Sequence, residues 1–462
     1  MKKLNFIIKC GLALLLLSFY SCESWLNVTP SDRLSEEMLF NDREGFVKAL
    51  NGVYIELNTN ELYGRNLTAG ALDVMGQYYS VASSSHAFYN YGGLVYTGND
   101  EKALFDNMWQ KCYAVIACCN TIIEKCDENK AGLSPVWKGA IKGEALALRA
   151  MLHFDMLRLF GPLTSELDKE SIPYQTNSDQ TVTPLLSGSE VVGLILDDLK
   201  NAVGLLKDTD PYFVEEEFSD TDLNYRRFRM NYFAAKGLMA RVQLWGGDKE
   251  KAAATAKEVI AEGQAEGAEF FPFVTNSEAT SSNPDRVFYS EVLFGTYHSS
   301  REKLHEDLFA PTLESTSILT LAGTARRDDL YDNENDYRYS VWSTYNKNGT
   351  SVLYHRKFEK QDNVTASRQY MIPLIRMSEM YLIAVECCKL DEASVYLNTF
   401  RNARNCNSLA LTEDNRINIL ANEYKKEMLG EGQLFFFYKR QEMVNIPDGN
   451  QATGTKNVEL AK

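Results

Sequence analysis

Histidine is scarce in this 462-residue chain: there are five, and no two stand at metal-ligand spacing. The sequence also lacks His-Glu-x-x-His, Gly-x-Ser-x-Gly and Gly-x-x-x-x-Gly-Lys-Ser/Thr, so zinc-peptidase, serine-hydrolase and phosphate-loop chemistry have no carriers. The acidic pair Asp197-Asp198 reads as a solvated face or a packing contact. A glycosidase needs two carboxylates held about 5 to 9.5 Å apart across a cleft, and nothing in the spacing favours such a pair. Asp332, Glu334 and Asp336 alternate like a calcium loop but lack its glycine and distal glutamate. The chain therefore reads as no enzyme, with no metal and no cofactor. Basic residues are in deficit too, 48 against 63 acids for a formal charge of −15, and an acidic surface repels phosphate backbones, which argues against nucleic acid.

Cys-x-x-Cys is absent, and long apolar runs are missing past the start of the chain. There, Lys2-Lys3 precede an apolar run from Gly11 to Leu17 that is too short to span a bilayer, the pattern of an export signal over residues 1–21. Cys22 follows the small residue Ser21 and reads as a lipidation site, an acylated anchor to the membrane. Of nine cysteines, Cys10 leaves with the signal. The seven others, Cys112, Cys118, Cys119, Cys126, Cys387, Cys388 and Cys406, read as small hydrophobes in helix cores.

What the chain has in quantity is helical period. Met377, Met380, Tyr381, Ala384, Cys387 and Cys388 recur at spacings of three and four, followed by Ala393, Tyr396, Leu397 and Phe400 and then by Ile417, Leu420, Ala421, Tyr424 and Met428. Gly430-Glu431-Gly432 ends the third stripe before the aromatic run Leu434–Tyr438. Upstream, residues 35–57 read as a first helical region, Val136–Phe160 as a helix stopped by Gly161-Pro162, and Val191–Leu206 as another. Asn231–Ile260 reads as two helices around Gly246-Gly247-Asp248, with small Ala240 and Ala252 where a hairpin needs close approach. The fold expected is mostly α: a tetratricopeptide-like helical-repeat scaffold with long irregular loops and a few short strands. After a leader over 22–34, residues 35–462 form one domain, with helical parts at 35–261 and 371–462 around an irregular insertion at 262–370.

The C-terminal stretch resembles the SusD/RagB family of lipoproteins. Arg376, Glu379, Tyr381, Leu382, Ala384 and Glu386 match the first piece of its pattern, Leu397, Asn398, Arg401 and Arg404 the second, and Glu423, Glu427, Glu431, Gly432 and Arg440 the third. Tyr424, Gln433, Phe436 and Phe437 depart from it. Leu50-Asn51-Gly52-Val53-Tyr54 and the Glu144 to Ala150 segment are similar to two further family elements. The resemblance implies a cell-surface lipoprotein, anchored in the outer membrane and facing the exterior, that partners a SusC-like TonB-dependent transporter and captures glycans or, in some branches, peptides.

Binding residues are sought among aromatics in polar loops, because a sugar offers an apolar C–H face and a rim of hydroxyls. Tyr78, Tyr79, Tyr89, Asn90 and Tyr91 crowd one segment of the loop-like stretch 60–100, near Phe88 and Tyr96, and Tyr339, Trp342 and Tyr345 crowd another. These eight are the candidate oligosaccharide-binding residues. Oligopeptides could occupy the same rings, and an adaptor that only stabilises the transporter would need none of them.

Overall fold

The computed structural model describes residues 36–459 except 180, 268, 333 and 453–456; the export signal and Cys22 lie outside the described residues. The first helical region is not continuous. A single turn, Glu36–Leu39, is followed by a break at Phe40–Asp42 and then by α1 (Arg43–Leu57), because Asp42 turns its carboxylate back to accept from the Gly45 N–H at 2.9 Å. Short helices α2 (Ala71–Met75) and α3 (Tyr89–Gly92) follow, then the long α4 (Asn99–Glu128) and α5 (Pro135–Phe160). Ser134 caps α5 with proline in its first turn, and Gly161 ends it. Strands β1 (Glu170–Pro173) and β2 (Leu185–Ser187) pair ahead of α6 (Gly188–Thr209), which begins in a capping box between Ser187 and Glu190. Next come α7 (Tyr232–Trp245) and α8 (Lys249–Gly263), hinged at the Gly246-Gly247 turn, with Ala240 and Ala252 wholly buried.

From α4 to α8 each long helix packs on the next. The stack does not end there. α8 also packs on α9 (Met377–Cys387), which in turn packs on α10 (Leu390–Ala403), although a long stretch of chain intervenes. That stretch leaves the stack along β3 (Val292–Tyr297) and returns along β6 (Met371–Arg376), its antiparallel partner. Between them lies a hairpin, β4 (Trp342–Lys347) and β5 (Thr350–His355), closed at Asn348-Gly349 with both residues at positive φ, as a two-residue hairpin turn requires. Helices α11 (Arg416–Glu427) and α12 (Gln433–Arg440) finish the body, and the short pair β7 (Asn445–Pro447) and β8 (Asn457–Glu459) follows. The aromatic run after Gly432 is thus itself a helix, with Leu434 to Tyr438 all buried. The described residues are mostly helical, a tetratricopeptide-like stack with four two-stranded sheets.

The acidic and basic residues that carried the sequence pattern are buried braces. Glu427 accepts from Arg376 at 2.5 Å and Arg404 at 2.7 Å, and Arg404 also grips Glu291 at 2.6 Å. Burial opposes charge on Glu427, yet Arg404 and Arg376 hold its carboxyl well below the usual range. Glu379 pairs with Arg241 at 2.6 Å, Glu386 with Arg440 at 2.8 Å, and Arg401 with Glu423. At the other end, Glu144 accepts from Tyr54 at 2.6 Å and Arg229 at 2.9 Å, while Arg149 forks onto Asp198 with two 2.7 Å bonds. Asp198 is thus a packing contact, and exposed Asp197 beside it lies on the solvent face. Such pairs add little over apolar packing, but losing one partner strands a buried charge. All seven cysteines after Cys22 are free thiols, most of them buried.

Candidate functional site

Four of the eight proposed ligand residues lie in the core. Tyr78 and Tyr79 are at most 3% exposed; Tyr78 donates its hydroxyl to the Tyr424 carbonyl at 3.1 Å and Tyr79 to Asp73 at 3.2 Å. Tyr91 packs between Phe88 and Phe105, with ring centroids 5.9 and 6.4 Å away. Trp342 is 4% exposed and gives its indole N–H to the Tyr331 hydroxyl at 3.3 Å. These rings have no face left for a ligand. For Tyr78 and Tyr79 the physical reason lies in the segment 60–80, which is folded inward. Buried Asp73 on α2 accepts from Gly430 N at 2.6 Å and Gly432 N at 2.9 Å, tying it to the C-terminal block. A side chain at residue 432, where φ is +68°, would run into the Leu67 carbonyl, so only glycine allows that approach.

The other four stay accessible. Tyr89 is 43% exposed and Tyr345, pointing out from β4, is 45% exposed. Asn90 is half-buried and donates to Glu101 at 3.0 Å. Tyr339 is half-buried too, with Arg327 over its ring at 4.5 Å and its hydroxyl on Asp328 at 3.2 Å.

The buried members join the two clusters. Rings run from Tyr79 to Phe309, from Phe309 to His355 and from His355 to Trp342, at centroid distances of 5.9, 4.9 and 5.2 Å. Backbone follows the same line: Ser80 N donates to Thr320 O at 2.8 Å, and the Thr320 hydroxyl donates to Leu353 O on β5 at 2.6 Å. The segment after α2 and the β4–β5 hairpin therefore stand on one foundation. Burial, with Lys357 nearby, keeps His355 far below its ordinary pKa and uncharged.

Beside this region the structure opens a groove of about 880 Å³ that the sequence did not disclose. Its walls carry Tyr96, Phe105, Phe160 and Phe435, with Glu166 and Lys169 among its polar lining groups. Phe160 is 37% exposed although it belongs to the apolar run of α5. The signal was the Gly161-Pro162 stop, which leaves the last ring of a helix without a following turn to cover it. Loop and groove adjoin, since Asn90 is tied to Glu101, one helical turn ahead of Phe105. On the groove's lining, Lys439 closes the α5 C-terminus by donating to the carbonyls of Arg158 and Gly161, both at 2.8 Å. Burial lowers its amine to about 8. Flat rings bordered by charged and hydroxyl groups suit a ligand with an apolar face and a polar edge.

A family model described as "Starch-binding associating with outer membrane" matches residues 24–244, and the SusD family model matches residues 283–458. The chain belongs to the SusD/RagB family. A SusD-like protein of Formosa agariphila is 26% identical over 265 residues, 56% of this chain and 46% of that relative, so the chain spans less than half the length of this curated relative. Among solved structures, a SusD superfamily protein from Bacteroides thetaiotaomicron is similar with a TM-score of 0.70 at 21% identity, covering 89% of this chain and 91% of the other. A laminarin-binding SusD-like protein gives 0.63 at 18% identity, with 89% and 93% covered. At these identities the structural likeness establishes the SusD fold. No helix among the described residues is long and apolar enough to cross a membrane.

Proposed function

We propose that this SusD-family chain is a non-catalytic surface lipoprotein of the outer membrane, anchored through Cys22, that binds oligosaccharides and delivers them to a SusC-like TonB-dependent transporter. The observation that carries the reading is the set of open aromatic faces: Tyr96, Phe105 and Phe160 in the groove, Tyr89 beside Asn90 at its margin, and Tyr339 and Tyr345 at the β4–β5 hairpin. Aromatic faces give a pyranose its apolar contact, and Asn90, Glu166 and Lys169 offer hydrogen bonds to its edge. The family description of starch binding and the laminarin-binding neighbour favour glycans over peptides as the class of ligand. Calorimetry with a neutral glucan panel beside an oligopeptide library tests this. Glycan binding that is lost in Phe160→Ala with Tyr89→Ala, at unchanged circular dichroism, is the expected result; saturable peptide binding with no glycan response would move the ligand to the peptide class. Cys22→Ala should release the chain from the membrane fraction, and continued retention would overturn the anchor.

A further inference from the structure

Between the insertion and the C-terminal helices lies a small pocket with about 10 Å³ of room for the centre of a water-sized sphere. Its lining is unbalanced. Arg286, Arg338, Lys357, Arg376 and Lys426 face it, against the single carboxylate of Glu427. Both oxygens of that carboxylate are already taken, one by Arg376 at 2.5 Å and Arg404 at 2.7 Å, the other by Arg404 at 3.0 Å and Arg338 at 3.2 Å. The other acids nearby are paired with the same cations: Glu431 with Lys357 and Arg376, Asp336 with Arg338, Glu423 with Arg338 and Lys426, and Asp332 with Lys426.

Arg286 is the residue this network leaves over. It is 5% exposed, and its nearest acid is Glu359, 3.6 Å from Nη1; that acid is bound more closely by Arg356, at 2.7 Å. Its Nε is buried with no hydrogen-bond partner. A buried guanidinium with an unmet donor is costly, and a bound anion removes that cost. We infer that the pocket between Arg286, Arg338, Lys357, Arg376 and Lys426 holds one monoatomic anion of chloride size, which fastens the insertion to the C-terminal helices. Its lining residues are distinct from the open rings proposed to bind glycan.

Bromide is the probe, because it replaces chloride and scatters anomalously. In crystals of the mature protein soaked in bromide, an anomalous peak in contact with Arg286 is expected. In solution, the unfolding midpoint should climb with chloride or bromide concentration and stay flat in gluconate at matched ionic strength. Arg286→Met should abolish that halide-dependent rise, and Arg286→Lys should retain part of it while keeping the fold. A full-occupancy water in place of the peak would overturn the inference. So would a peak with equal midpoints in chloride and gluconate, which would mark an adventitious ion only. Should Arg286→Met fail to fold, the halide dependence of the unaltered chain still decides the matter. Glycan calorimetry is independent of every arm.

Discussion

Arg404 and Tyr79 are both almost completely buried, yet their burial has different origins. In the C-terminal block, charges recur at helical spacing and meet other charges across helix faces: Arg401 on α10 and Arg404 at its C-cap reach Glu423 and Glu427 on α11. Between α2 and the β4–β5 hairpin, rings on loops and short elements are hidden by whatever the chain folds over them. The first region is specified by pairing and the second by enclosure. Pairing makes each member indispensable, because either partner alone is a stranded charge. Enclosure leaves a gradient from Tyr79 in the core to Tyr345 in solvent, and a ligand can use the outer end of that gradient.

The sharpest way to break this contrast is to remove a charge from the paired region. Arg404→Ala leaves Glu291 and Glu427 facing each other in the core, and a loss of about 3–5 kcal/mol is expected in chemical denaturation. Exposed Tyr345→Ala should stay within about 0.5 kcal/mol of the parent. Equal losses for the two would erase the distinction.

Asp73 sits at the seam between the regions and gives a second, smaller effect. Burial raises its carboxyl from the ordinary 3.8 to about 7, although Gly430, Gly432 and Tyr79 all donate to it. Between these values the folded chain keeps a proton that the unfolded chain has released, so raising the pH favours unfolding by at most roughly 1.4 kcal/mol per unit. Asp73→Asn should therefore remove a fall in stability between pH 4 and pH 7 while costing about 1–3 kcal/mol for the altered acceptor. Denaturation of both forms across that range checks the slope. Parallel curves would mean that the donors, and not burial, govern this carboxyl.

The same contrast explains what could be read from the chain. Helices at 377–387, 390–403 and 416–427 announce themselves by spacing, and Arg376, Arg401, Arg404, Glu423 and Glu427 by their pattern, since a helix fixes which residues share a face. Gly432 was visible as a break, though not as the point where Leu67 passes close by. Tyr78, Tyr79, Tyr91 and Trp342 were misplaced as surface rings because loop periodicity carries no sign of inside or outside. Asp73, the residue that draws the segment inward, is one acid among many until Gly430 and Gly432 come to meet it. Phe160 went unmarked for another reason: it is the last ring of a helix run, and the stop at Gly161-Pro162 leaves it open.

The smallest effect expected is the one that tests how the open rings divide their work. Phe160 lies in the groove, packed edge-on by Phe105 and Trp109, and Tyr345 on an exposed strand. Excluding water on several sides makes a stacked ring count for more, so Phe160→Ala should weaken binding of a glucan oligosaccharide by about tenfold. Tyr345 stacks against solvent and loses less, about two- to threefold. Neither should shift the unfolding midpoint much, because Phe160 is more than one-third exposed and Tyr345 nearly half. Titration calorimetry of the two single variants and the pair separates the cases. Independent losses that multiply would place both rings on one extended ligand, whereas a Tyr345 effect that vanishes in the Phe160→Ala background would make the groove the site on which the hairpin contact depends.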